Sequence, residues 1–167
     1  LNIHASGVYV DATLGRGGHA RAILEQLGPE GRLIGFDRDP QAVELGRAMF
    51  AGDQRVRVVH SEFARMLQEI KQLADINGVD GVLMDLGVSS PQLDQAERGF
   101  SFLRDGALDM RMDTTQGESA ADWLARVEER ELMMVLFDLG EERFARRIAR
   151  AIVEQRAEAP IMTTHQL

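Results

Sequence analysis

From residue 8 onward the chain alternates short apolar runs with amphipathic stretches. Val8–Asp11 is an apolar run that ends on an acid, a glycine-rich segment follows, and Ile23, Leu24 and Leu27 then share one helical face. That pattern predicts strand, loop and helix in succession. Gly28-Pro29 closes the helix, because glycine permits a left-handed terminal turn and proline cannot extend a helix. Leu33–Phe36 predicts a second strand closing on Asp37. Asp39-Pro40 opens the next helix, with the Asp side chain over the free amides and Pro40 at the first position. Val56–Val59 predicts a third strand, and Phe63, Met66, Leu67, Ile70 and Leu73 recur at helical spacing after it. Val82–Met84 predicts a fourth strand, ending at Asp85. Strands alternating with helices imply right-handed crossovers and a parallel sheet covered on both faces, with strands in the spatial order 3-2-1-4.

The beat stops near residue 94. "ERGFSFLRDGALDMRMDTTQGES" has no sustained period and is rich in Gly, Asp and Arg. Beyond it, Ser119 is placed to cap a helix carrying Trp123, Leu124 and Val127. Leu132–Leu139 predicts another helix, closed by Gly140. Arg143–Glu154 predicts a third, burying Phe144, Ile148 and Ile152, and Ala159-Pro160 stops it. Thr163 or Thr164 would cap one more. The expected organisation is an α/β unit over residues 1–94, Rossmann-like and doubly wound but incomplete at four strands, with a connecting segment and a helical unit over 95–167.

Composition narrows the chemistry. The 167 residues include no cysteine, which removes disulfides, thiol catalysis and the usual zinc sites, and no metal site is expected. No apolar run approaches the roughly 18 residues of a membrane helix. A formal charge of -8 argues mildly against nucleic acid, but a local basic face can operate on an acidic protein. "ERFARRIARA" offers one: Arg143, Arg147 and Arg150 share a helical face with Arg146 beside it. A solvated face neutralised by nearby Glu residues is the competing explanation.

In an open parallel sheet, ligands bind outside the carboxyl ends of the strands. Three of the four predicted strands end there on an acid: Asp11, Asp37 and Asp85. Gly15-x-Gly17-x-x-Ala20 satisfies the dinucleotide fingerprint, and Asp37 lies 22 residues beyond Gly15, where an acid accepts hydrogen bonds from ribose hydroxyls. That geometry serves NAD and S-adenosylmethionine equally, and a tight turn that merely packs helix on strand also fits it. Asp11 separates the two ligands by charge. A pyrophosphate on the helix N-terminus wants positive potential, which a carboxylate before the loop opposes. The ammonium and sulfonium of S-adenosylmethionine are attracted by it. A nicotinamide-dependent oxidoreductase and a non-catalytic adenosine-binding fragment are the alternative functions.

"DATLGRGGH", "GFDRDPQA" and "DLGVSSPQLDQAERGFSFLRDGALDMRMD" together closely resemble the MraW/RsmH family of S-adenosylmethionine-dependent methyltransferases. The resemblance runs nearly end to end, and it implies methylation of the exocyclic N4 amine of a cytosine in bacterial small-subunit ribosomal RNA. It implies that Gly17, Gly18, His19, Asp37, Phe63, Asp85 and Gln92 contact the cofactor. It also implies a helical substrate domain inserted after strand four, with further strands following it. On that expectation the sequence is a fragment, truncated within the insert and short of a segment before strand one, which leaves strand four as an unprotected edge. The implied partner is ribosomal RNA of the small subunit, the implied location cytoplasmic, and no membrane is involved. The oligomeric state does not follow, a homodimer being one arrangement left open.

A cytosine amine is a poor nucleophile whose lone pair is delocalised into the ring, so acceptors for its hydrogens would assist transfer. Related amino-methyltransferases carry an Asp/Asn/Ser-Pro-Pro-aromatic motif after strand four. Here the same place holds Ser89-Ser90-Pro91-Gln92, without the second proline and the aromatic. Ser89, Ser90 and Asp109 are the catalytic candidates, with a capped turn as the alternative for the serines. Phe100, Phe102 or Trp123 would supply the apolar face that an unstacked base requires. Asp109, Arg111 and Asp113 would share one face of an extended segment, either to position substrate or as a surface salt-bridge ladder.

Overall fold

Val8–Asp11 (β1), Arg32–Asp37 (β2), Val56–His60 (β3) and Gly81–Leu83 (β4) form one parallel sheet in the order β3-β2-β1-β4. This computed structural model describes residues 1–167. The register is continuous across the centre: Tyr9 lies opposite Leu33 on one side and Gly81 on the other. The connecting helices are Gly18–Leu24 (α1), Pro40–Met49 (α2) and Met66–Lys71 (α3).

Period-two alternation sorts the strand residues onto two buried faces. Tyr9 and Leu33 pack with Leu14, Ala20, Ile23, Leu24 and Leu27 on the α1 side. Val10, Ile34 and Phe36 pack with Ile70 and Ile76 on the α3 side. Both faces of the central strands β1 and β2 are covered, as their near-continuous apolar sequences require, whereas the edge strands β3 and β4 are only partly buried. Burial of each such side chain stabilises by about 1.5–3 kcal/mol, so Ile34→Ala at the centre of β2 would cost about 2–5 kcal/mol. Asp39 caps α2 by accepting the Gln41 N–H at 3.0 Å, with Pro40 at the first position.

Two expectations shift here. The fourth strand is Gly81–Leu83, so Asp85 lies just beyond it. The helix after β3 is confined to Met66–Lys71, preceded by a 3-10 turn over Phe63–Arg65, because only Ile70 of its apolar positions is buried. Phe63 and Leu67 are exposed.

The chain divides into two units, Leu1–Gly87 with Met112–Thr115 and Val88–Arg111 with Gln116–Leu167. The second contains Ser90–Asp94 (α4), Ala120–Arg126 (α5), Glu129–Met134 (α6) running into a π-helical turn over Val135–Leu139, and Ala145–Glu158 (α7). Its core comprises Leu108, Ala121, Leu124, Val127, Leu132, Ala149, Ile152 and Ile161. Ser119 caps α5 by accepting the Asp122 N–H at 3.1 Å. Phe144, expected in that core, is instead exposed at the N-cap of α7. Ala145 and Ala149, one turn apart, take the buried face, and their small side chains let the helix approach closely. Thr163 caps no helix: it forms an isolated antiparallel bridge with Ala107, flanked by a Leu108 N–H to Met162 carbonyl bond of 2.9 Å. No helix is long and apolar enough to cross a membrane.

Candidate functional site

The loop between β1 and α1 is a backbone construction held by acids. Its turn needs two left-handed residues, Gly15 at φ +49° and Gly17 at φ +72°. A side chain at Gly17 would also meet the Met49 sulfur at 2.9 Å, so both backbone and packing demand glycine there. Gly18 differs. A Cβ there has no neighbour within 4 Å, and nothing within the chain explains its glycine.

Asp37, at the end of β2, reaches back to this loop. Its Oδ2 accepts the Gly15 N–H at 2.8 Å and its Oδ1 accepts the Asp39 N–H at 2.8 Å. Each oxygen retains a second lone pair, enough for one ribose hydroxyl apiece. Asp85 is placed by Thr13, whose hydroxyl accepts the Asp85 N–H at 2.8 Å, while the Ala12 N–H bonds the Leu83 carbonyl at 2.9 Å. Thr13 thus stitches the ends of β1 and β4 together. It is absent from the sequence-based candidates, although its place two residues past the β1 acid was an available signal.

Asp11 is the site's central group. It is 0% exposed. Its Oδ1 accepts the Thr13 N–H at 3.1 Å, and its buried Oδ2 has no hydrogen-bond partner. Burial pushes its pKa above the ordinary carboxylate value; the Thr13 hydrogen bond and the His19 charge oppose that, and the Asp37 and Asp85 charges reinforce it. Buried polar atoms are almost always paired, so this orphaned oxygen is an exception, and beside Asp37 and Asp85 it concentrates carboxylates at the carboxyl end of the sheet. An ammonium or sulfonium suits this field and a pyrophosphate does not. Gly17 is buried, Gly18 and His19 are exposed at the start of α1, and the Phe63 ring is 46% exposed just past β3.

The other expected residues lie in the second unit. Ser89 is the N-cap of α4 and forms a capping box with Gln92, whose Oε1 accepts the Ser89 N–H at 2.9 Å. Gln92 is buried, while Ser90, the first residue of α4, is exposed. Asp109 is held by Arg111 through both oxygens, Nε to Oδ1 at 2.8 Å and one terminal nitrogen to Oδ2 at 2.6 Å, which lowers its pKa. Arg98, buried and absent from the sequence-based candidates, supports this loop by donating to the Arg111 carbonyl at 3.1 Å.

The three alternating charges do not share a face. Met110 takes a left-handed φ of +61°, which breaks the extended alternation. Asp113 belongs instead with the first unit, where its Oδ2 lies 3.5 Å from His60 Nε2. Among the aromatic candidates, Phe100 is half-buried and Trp123 packs against the helical core, whereas Phe102 is 80% exposed.

The family model described as the MraW methylase family matches residues 1–167. The chain is 59% identical over its whole length to the "Ribosomal RNA small subunit methyltransferase H" of Alteromonas mediterranea, covering 53% of that protein. It is 57% identical to the protein of the same name from Nitrosospira multiformis, again over its whole length and 52% of the relative. For the one from Shewanella amazonensis the identity is 55%, over the whole chain and 53% of the relative. The chain thus spans about half the length of the curated relatives it matches.

Proposed function

This chain belongs to the MraW methylase family, and we propose that it holds S-adenosylmethionine for methyl transfer to the N4 amine of a cytosine in small-subunit ribosomal RNA. One observation carries the cofactor reading: the buried, unpartnered Oδ2 of Asp11 at the carboxyl end of the sheet. In this reading Asp11 and Asp85 provide the negative field for the ammonium and sulfonium. Asp37 takes the ribose hydroxyls on its remaining lone pairs, Phe63 lies along the adenine, and Gly17, Gly18 and His19 border the methionine moiety. The resemblance adds Gln92, whose side chain also holds the capping box of α4.

When bound, the donor supplies a methyl carbon on a sulfonium, which leaves as a thioether. The amine must lie about 3–3.5 Å from that carbon and in line with the bond that breaks. Its nitrogen would form the new bond as the carbon–sulfur bond breaks, and the proton lost from the amine would pass to bulk water. Ser89 is engaged in the cap of α4, whereas the Ser90 hydroxyl is exposed. We therefore assign the exposed Ser90 hydroxyl as acceptor for the amine hydrogens, the Ser89 carbonyl being taken by the Leu93 N–H at 3.2 Å. Asp109, with both oxygens on Arg111, acts as a positioning residue for its loop.

The test is transfer of labelled methyl from S-adenosylmethionine to small-subunit RNA by the complete protein, followed by nucleoside analysis. N4-methylated cytidine supports the reading. Label on another base, or none, refutes it.

A further inference from the structure

Three arginines around the start of α7 have no carboxylate partner. Arg150 is ion-paired with Glu154 at 2.8 Å, but Arg143, Arg146 and Arg147 make no ion pair. The Arg143 guanidinium carbon lies 5.6 Å from the centroid of the Phe144 ring and that of Arg147 lies 4.8 Å from it. The ring is itself 50% exposed. Glu141 and Glu142 precede the cluster in sequence, but neither forms an ion pair with it, and Glu142 accepts the Phe144 N–H at 2.7 Å.

We propose that Arg143, Phe144 and Arg147, with Arg146 beside them, form a contact site for a single RNA strand. The choice of RNA rests on the methyltransferase reading above. The ring face attracts both cations and holds like charges together that would otherwise spread apart. Their side chains are thereby partly ordered before a ligand arrives, which lowers the entropy lost on binding. Guanidinium groups hold phosphates through paired N–H donors, and both guanidinium planes and aromatic rings stack on bases. On a chain of formal charge -8, an unneutralised cluster of this kind is complementary to a polyanion. Ala145 and Ala149 face the core, so the cluster contributes nothing to packing that a shorter polar side chain would disrupt.

The experiment measures binding of a single-stranded RNA oligonucleotide and of small-subunit RNA to the complete protein over a salt series. Arg143→Gln with Arg147→Gln should lower the salt slope by about 0.7 for each lost contact. Phe144→Leu should weaken binding roughly tenfold with little change in slope. Arg126→Gln, which removes a cation already paired with Glu118, is the control and should leave the slope unchanged. Unchanged slope and affinity in the double variant overturn the proposal. So does weakened binding to assembled subunits with unchanged binding to RNA, which would assign the cluster to a protein partner. S-adenosylhomocysteine binding, measured on the same variants, reports the strand-end site separately. Its absence alongside an intact salt signature would refute the cofactor reading and leave the arginine site standing.

Discussion

The Asp37 carboxylate accepts the Gly15 N–H at 2.8 Å, linking the end of β2 to the glycine loop 22 residues earlier. The acid suited to the ribose therefore also shapes the loop that borders the rest of the ligand. Asp37→Ala removes both functions, together with the acceptor for the Asp39 N–H. A hydrogen bond to a charged group is worth about 1.5–3 kcal/mol, so cofactor affinity should fall more than tenfold and the melting temperature should also fall. Calorimetric titration and thermal unfolding of the variant check the two effects. Unchanged affinity in a folded variant would make Asp37 a structural acid.

Asp11→Asn should separate stability from binding. The amide oxygen can still accept the Thr13 N–H, while the buried charge disappears. Burial raises the Asp11 pKa, so the folded state holds its proton to higher pH than the unfolded state does. Across that interval Asp11 makes stability fall as pH rises from the ordinary carboxylate value through the raised one. The variant should lose this dependence and melt higher than the parent above the interval, yet bind S-adenosylmethionine at least tenfold more weakly. Thermal unfolding across pH decides the matter, and a variant that melts lower would mean that the charge is compensated within the fold.

Gly18→Ala tests whether the open space at that position is reserved for a ligand. Alanine is favoured over glycine in a helix by roughly 0.5–1 kcal/mol, and its Cβ meets nothing in the protein. Unfolding should show equal or greater stability, while cofactor titration should show weaker binding. Equal binding would place the ligand away from the start of α1.

The framework was readable from the sequence because the central strands β1 and β2 are apolar on both faces and each ends on an Asp. Val8–Asp11 and the capped start of α2 at Asp39-Pro40 are local signals, and local chemistry settles them. Phe144 and Phe63 were not readable in the same way. Both sit at helical spacing from buried residues, yet Phe63 lies in the 3-10 turn before α3 and Phe144 at the N-cap of α7, and only tertiary packing decides that. The Asp109–Arg111 ion pair matches the salt-bridge reading of that alternation, but the left-handed backbone at Met110 and the placement of Asp113 beside His60 are not encoded by periodicity. The orphaned Asp11 oxygen is likewise visible only once every donor around it has been placed.

The two serines after β4 should part company. Ser89→Ala removes an N-cap and should destabilise by about 1 kcal/mol, seen in thermal unfolding. Ser90→Ala removes an exposed hydroxyl and should leave stability alone while slowing single-turnover methyl transfer at least tenfold, about 1.4 kcal/mol in the barrier. Unchanged transfer in the Ser90 variant would move the acceptor role to backbone carbonyls.

The most direct measurement is calorimetric titration of the complete protein, parent and Asp11→Asn, with S-adenosylmethionine and with NAD. The parent should bind S-adenosylmethionine and not NAD, with affinity that falls as pH drops through the raised Asp11 pKa, and the variant should have lost that pH dependence. Binding of NAD at the same site, or S-adenosylmethionine binding indifferent to Asp11→Asn, would contradict the account.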